Sequence, residues 1–425
     1  MNVARTYGNV VRRQIADKPK TASAMIRTGL YLESFRCAHF AEKKMPKAYR
    51  FLNSKAVGVV ADALSHPETY AWTNIFAPTE LLQTFGLSCV SVECLASYLS
   101  GFWLEDYFID RAEDVGISST LCSYHKNFIG AVESGVLPLP RLGVTTSVTC
   151  DGNIGTFRYM EQRFGVKNFI LDIPQNWSPE AERYVVEQLR SLIQVLENAT
   201  GRKYSEDALR ETIHRENESK AHFSSALKKR ISHSYPNTMT LVLFLLLATH
   251  LNIGSQWVLD FFRMLDEEIG TYPPDTGKRL FWVHTTPYSQ PTLQSYLNYN
   301  DKCSIVCDDF NLDYMEEMDE THPLEALARK MICNIYNGSF ERKAQACVKY
   351  AKEYQCDAAV EFCHWGCKQS AGGAILLKEE MRKAGIPMLI LHGDSVDRRN
   401  NHDGQIRTRF EAFLEMLNRG QEATE

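Results

Sequence analysis

Two stretches of the chain alternate short β-branched runs with helix-period patterns, and that alternation leaves few folds open: it marks βαβ units laid into parallel sheets. In the first, roughly residues 50–175, the strand runs are Ala71 to Phe76 (AWTNIF), Ser88 to Val92, Gly143 to Val148 (GVTTSV) and Asn168 to Ile173 (NFILDI). A helix is expected from Ala77-Pro78-Thr79-Glu80, with proline near its first turn. In the second, roughly 276–425, the runs are Arg279 to His284, Cys303 to Cys307, Ala358 to Phe362 and Pro387 to Leu391. The closing segment carries Ile406, Phe410, Phe413, Leu414 and Leu417 on one helical stripe that must face a core. Between the two stretches the pattern is helical. Ser178-Pro179-Glu180 supplies a cap, a proline and an acid for a helix that Gly201 ends, and the charge-rich helix 205–230 reads as a solvated face. The expected fold is therefore α/β: two doubly wound, Rossmann- or flavodoxin-like parallel-sheet domains (51–177 and 276–425), an N-terminal helical segment (1–50) and a helical region (178–275).

At 425 residues the chain is long enough for two or three cores. A net charge of −5 gives no basic surface for nucleic acid or anionic membrane. The longest apolar run, Leu241 to Ala248, is far short of the ~20 residues that span a bilayer and reads as a buried helix. The N-terminus has no apolar signal region, so a cytoplasmic protein is expected. Against that background 12 cysteines need a reason, because thiols in a reducing compartment are seldom disulfides.

Nucleotide cradles are missing. Thr276-Gly277-Lys278-Arg279 lacks the spacing of a P-loop, no GxGxxG follows a strand, and neither GxSxG nor HExxH occurs. What remains is a set of six cysteines where loops leave strands: Cys89, Cys94, Cys122, Cys150, Cys363 and Cys367. Ligands of doubly wound sheets collect at the carboxyl ends of strands, so loops far apart in sequence can converge there. Thiolate sets suit Fe–S clusters, Cu(I) or zinc, and the paired CxxC spacing of structural zinc is missing. Small neighbours (Gly152, Gly366, Ala371, Gly372, Gly373) would let backbone approach a bulky cofactor. Cys37, Cys333, Cys347 and Cys356 read as core; Cys303 and Cys307 stay open. His125, His364 and Trp365 flank the thiols, and either histidine could donate protons or simply pack; His402 is a weaker third.

These residues resemble the superfamily of 2-hydroxyacyl-CoA dehydratases and benzoyl-CoA reductases over most of the chain. The similarity is carried by APTELLQTFG, by Leu121-Cys122-Ser123-Tyr124 with Gly130, by Cys150-Asp151-Gly152-Asn153, by Gly366-Cys367-Lys368, and most specifically by GDSVDRRN followed by DGQIRTRFEAFLEML. The resemblance implies a [4Fe–4S] cubane held by Cys122, Cys150 and Cys367. It leaves Cys89, Cys94 and Cys363 in surplus, as many thiols as a second cubane needs. On that ground the chain looks like the double-cubane cluster protein branch, with an [8Fe–9S] cofactor on all six cysteines and both α/β domains binding it.

The resemblance then implies an oxidoreductase of anaerobic cells, a homodimer that takes low-potential electrons from a separate ATP-hydrolysing [4Fe–4S] activator and passes them to small acetylene-, azide- or hydrazine-like molecules. His125 and His364 are catalytic candidates by their proximity to the motifs alone. The alternative is a lyase: a subunit of a 2-hydroxyacyl-CoA dehydratase with one [4Fe–4S] cluster and a different partner subunit, eliminating water through a ketyl radical. A third reading is a cluster-binding protein without turnover.

Overall fold

The computed structural model describes residues 3–422. Among the described residues, eight strands form two four-stranded, all-parallel sheets. The first sheet holds β1 (Tyr70–Thr73), β2 (Ser88–Ser91), β3 (Leu142–Thr146) and β4 (Asn168–Leu171), in the order β2-β1-β3-β4. The second holds β5 (Lys278–Val283), β6 (Cys303–Asp308), β7 (Ala358–His364) and β8 (Met388–Gly393), in the order β6-β5-β7-β8. Every expected strand is present, its ends shifted by at most three residues, and the two sheets share one doubly wound order.

Strand alternation sorts side chains between the two faces of each sheet. In β1, Tyr70 and Trp72 enter one core while Ala71 enters another. In β5, Phe281 and Val283 pack opposite to Leu280 and Trp282. Ile406, Phe410, Phe413 and Leu417 of the closing helix Asp403–Glu422 join the Leu280 and Trp282 core, as their stripe requires.

The helical middle begins where the sequence places it: the Ser178 hydroxyl accepts the Ala181 N–H, Pro179 opens the helix Pro179–Thr200, and Gly201 ends it at φ +73°. The apolar run forms the helix Met239–Leu246, continued by a wider π turn, Leu247–Leu251. The helix Glu206–Lys229 departs from the expected solvated face. Its Glu216 is fully buried, and the Lys330 ammonium lies 2.8 Å from Glu216 and 2.6 Å from Glu80. The helix Lys47–Ser65 runs across residue 50 and packs on the helix Pro19–His39. No helix among the described residues is long and apolar enough to cross a membrane.

The segment GDSVDRRN leaves β8 and clamps the two halves together. The Asp394 carboxylate accepts the Ser123 hydroxyl at 2.6 Å and the backbone N–H groups of Val396 and Asp397 at 2.8 Å. Arg398 donates to the Ser100 carbonyl at 2.9 Å and to Glu105.

Candidate functional site

In a doubly wound sheet the strand order reverses beside the first strand, which opens a crevice at the carboxyl ends of the two strands flanking the reversal. The molecule has two such points, after β1 and β3 and after β5 and β7. They share one cavity of about 620 Å³. Ile75 and Phe76 follow β1, Thr149 and Cys150 follow β3, His284 and Thr285 follow β5, and Gly366 and Cys367 follow β7, and all of them line it. Cys122 arrives by a longer route, after the two helices that follow β2.

Cys122, Cys150 and Cys367 occupy equivalent places: each is the residue immediately before a helix, namely Ser123–Glu133, Asp151–Phe164 and Lys368–Lys383. A thiolate there faces free backbone N–H groups and the positive end of the helix dipole. Burial still dominates in the thiols as they stand, pushing Cys150 up to about 12 and Cys122 well above its ordinary value, with the neighbouring sulfurs adding to both shifts. Two chain segments must touch for the three to meet. Gly366, at φ +77°, lies so close to Cys122 that a Cβ on it would stand 2.7 Å from the Cys122 Cα.

Each of the three sulfurs also meets a buried histidine. Cys122 Sγ lies 3.2 Å from His364 Nε2, Cys150 Sγ 3.6 Å from His125 Nε2, and Cys367 Sγ 3.4 Å from His284 Nε2. Burial lowers all three imidazoles, His125 to about 4. His284 carries no motif and does not stand out in the sequence. It sits at the end of β5 at φ +71°, a backbone conformation that sequence patterns do not reveal.

The remaining candidates scatter. Cys94 borders the cavity from the helix Val92–Gly101. Cys89 lies on the face of β2 that enters the Ala71 core, and Cys363 points into the core beneath β7, donating to the Ser370 carbonyl at 3.5 Å. Cys303 and Cys307 are buried away from the cavity, and Cys307 Sγ sits 3.9 Å from Cys356 Sγ. Cys37 and Cys347 are buried, while Cys333 and Cys356 are half-buried. His402 lies outside the cavity against Trp365. Of the small residues, Gly152 faces Cys150 and His125, but Gly373 packs on the Phe340 ring rather than toward the cavity.

Residues 74–417 match the family described as 2-hydroxyglutaryl-CoA dehydratase, D-component. The chain belongs to that family. Its relatives include the (R)-phenyllactyl-CoA dehydratase alpha subunit of Clostridium sporogenes, 25% identical over 88% of this chain and 96% of the relative. The lactoyl-CoA dehydratase subunit alpha of Anaerotignum propionicum is 23% identical over 90% and 98%. A benzoyl-CoA reductase subunit of Thauera aromatica is 21% identical over 72% and 78%. This places the D-component-like chain in the superfamily of 2-hydroxyacyl-CoA dehydratases and benzoyl-CoA reductases to which its motifs pointed.

Two further features of the cavity in this dehydratase-family chain have no signature in the sequence. One wall is apolar, formed by Ile75, Phe76, Phe244 and Leu247. The other carries Glu93, whose Oε1 accepts from Asn153 Nδ2 at 2.8 Å while its buried Oε2 has no hydrogen-bond partner among the described residues. Burial pushes the Glu93 carboxyl up.

Proposed function

We propose that this chain is a subunit of a 2-hydroxyacyl-CoA dehydratase, holding one [4Fe–4S] cluster through Cys122, Cys150 and Cys367 and acting on a 2-hydroxyacyl thioester. The observation that carries this reading is the convergence of those three thiols, each at a helix N-terminus, on one cavity. The donor set fits such a group. Among the described residues no three His, Cys, Asp or Glu side chains are close enough to share a single metal ion, whereas a cluster takes each thiolate at a different iron. The double-cubane reductase reading loses support, since Cys89 and Cys363 face cores.

When bound, the cluster supplies a low-potential electron to the thioester. The chain's own residues do the rest. Ile75, Phe76, Phe244 and Leu247 exclude water from the acyl group. Glu93, a carboxyl on the cavity wall that burial pushes up, is the acid offered to the departing hydroxyl. Because the similar dehydratase chains are named as alpha subunits, the expected assembly is heteromeric rather than the homodimer of the double-cubane reading, with an ATP-hydrolysing activator as electron donor.

Iron analysis of anaerobically purified protein tests this directly. About four irons per chain are expected, with iron lost in Cys122→Ser, Cys150→Ser and Cys367→Ser and retained in Cys89→Ser and Cys363→Ser. About eight irons, or loss of iron from either of the last two variants, would restore the double cubane.

A further inference from the structure

The three histidines that meet the thiols are not equivalent. His125 Nδ1 and His284 Nδ1 face threonine hydroxyls, Thr156 at 3.0 Å and Thr285 at 3.3 Å, which can either donate or accept. Their tautomers are therefore left open by the geometry. His364 differs, because its Nδ1 accepts the backbone N–H of Ser395 at 3.0 Å. A backbone N–H can only donate, so Nδ1 is bare and the ring proton sits on Nε2.

That proton has two acceptors within reach, Cys122 Sγ at 3.2 Å and Ser123 Oγ at 3.4 Å. The Ser123 hydroxyl spends its own proton on Asp394 Oδ1 at 2.6 Å, so toward His364 it can only accept. Asp394 does not recruit the imidazole as a cation. Its Oδ1 stands 3.8 Å from His364 Nδ1 and already takes three donors, Ser123 Oγ–H and the N–H groups of Val396 and Asp397. The ring is held in place: it is 1% exposed, meets the Tyr124 ring edge-on at 5.1 Å, and its backbone N–H donates to Ser370 Oγ at 3.1 Å.

We infer that His364 is a positioning residue that donates its Nε2–H to the Cys122 sulfur and thereby sets the reduction potential of the metal group this thiolate holds. This rests on the single-cluster reading of Cys122. A hydrogen bond to a ligating thiolate draws off negative charge and so favours the reduced state. The donor comes from the end of β7 and the sulfur from the other half of the molecule, so the bond makes the potential depend on how the two halves sit. The clamp that fixes Ser395 and Asp394 is the GDSVDRRN segment, which gives this motif a role in the site although none of its residues lines the cavity.

The test compares wild type with His364→Gln, which keeps an N–H donor, and with His364→Phe and His364→Met, which have none. Iron content is measured first, then the midpoint potential by EPR-monitored redox titration. Loss of the donor in the iron-replete Phe or Met protein is expected to make one-electron reduction at least tenfold less favourable, which is about 59 mV more negative. The Gln protein is expected to stay within threefold of wild type. A wild-type potential in either iron-replete apolar variant, or a shift in the Gln protein as large as theirs, overturns the proposal. Failure of the underlying reading shows separately, as wild-type protein without iron or with iron that survives Cys122→Ser.

Discussion

Glu93 and Cys94 are adjacent, border the same cavity and meet different chemistry. Glu93 has one oxygen tied to Asn153 and the other buried with no hydrogen-bond partner among the described residues, and burial pushes its carboxyl up, which disfavours the charged form. Glu93→Gln preserves shape and the capacity to accept from Asn153 but removes the ionisable carboxyl. Turnover is expected to fall by about 10²–10⁴-fold with iron content unchanged; kcat near the wild-type value would remove Glu93 from the reaction. The cysteines show what is legible at this scale. Six strand-end thiols can be picked out from the sequence, but whether each faces the cavity or a core depends on side-chain direction. Cys363 is separated from Glu361 by one step of the strand period, and both point to the face of β7 away from Phe362. Cys367, beyond the strand, escapes that alternation and reaches the cavity.

At the scale of elements, the site is a set of loop-to-helix junctions. Cys150 and Cys367 come directly after β3 and β7, where a loop turns into a helix and leaves its first N–H groups unpaired. The strands, the Ser178 cap and the closing amphipathic helix are readable because each writes a local period or a cap into adjacent residues. The π turn Leu247–Leu251, which delivers Leu247 and Leu251 to the cavity, has no such signature inside a uniformly apolar run. Gly366 is the element-scale weak point, since it needs both a left-handed backbone and room for the Cys122 chain. Gly366→Ala is expected to destabilise the fold by about 1–3 kcal/mol and to separate two ligand loops, so that iron per chain falls. Iron content equal to wild type would show that the loops can part without loss of the site.

Across the whole molecule, the cavity exists because two sheets of the same order face each other with their switch points together. A buried ion cluster helps hold that arrangement. Lys330, on the helix Pro323–Cys333 between β6 and β7, bridges Glu80 from the first half and Glu216 from the central helices. Burial alone would raise both acids. Lys220 and Lys330 hold Glu216 below the usual carboxylate range, while burial pushes Glu80, crowded by Glu216, up. Lys330→Met strands the Glu80 carboxyl and leaves Glu216 with Lys220 alone, and is expected to cost about 3–5 kcal/mol in chemical denaturation; a loss below 1 kcal/mol would mean the cluster is solvated. The sequence by itself determined the two parallel α/β halves, the helical middle and the motifs at the ligand loops, because strand period, caps and turn residues act over a few neighbours. Only the tertiary structure decided which thiols share a space, that His284 and Glu93 border it, and that charges on a seemingly solvated helix are buried. Those outcomes follow from contacts between residues far apart in the chain, such as Glu80 and Lys330, 250 positions apart, and no local pattern carries them.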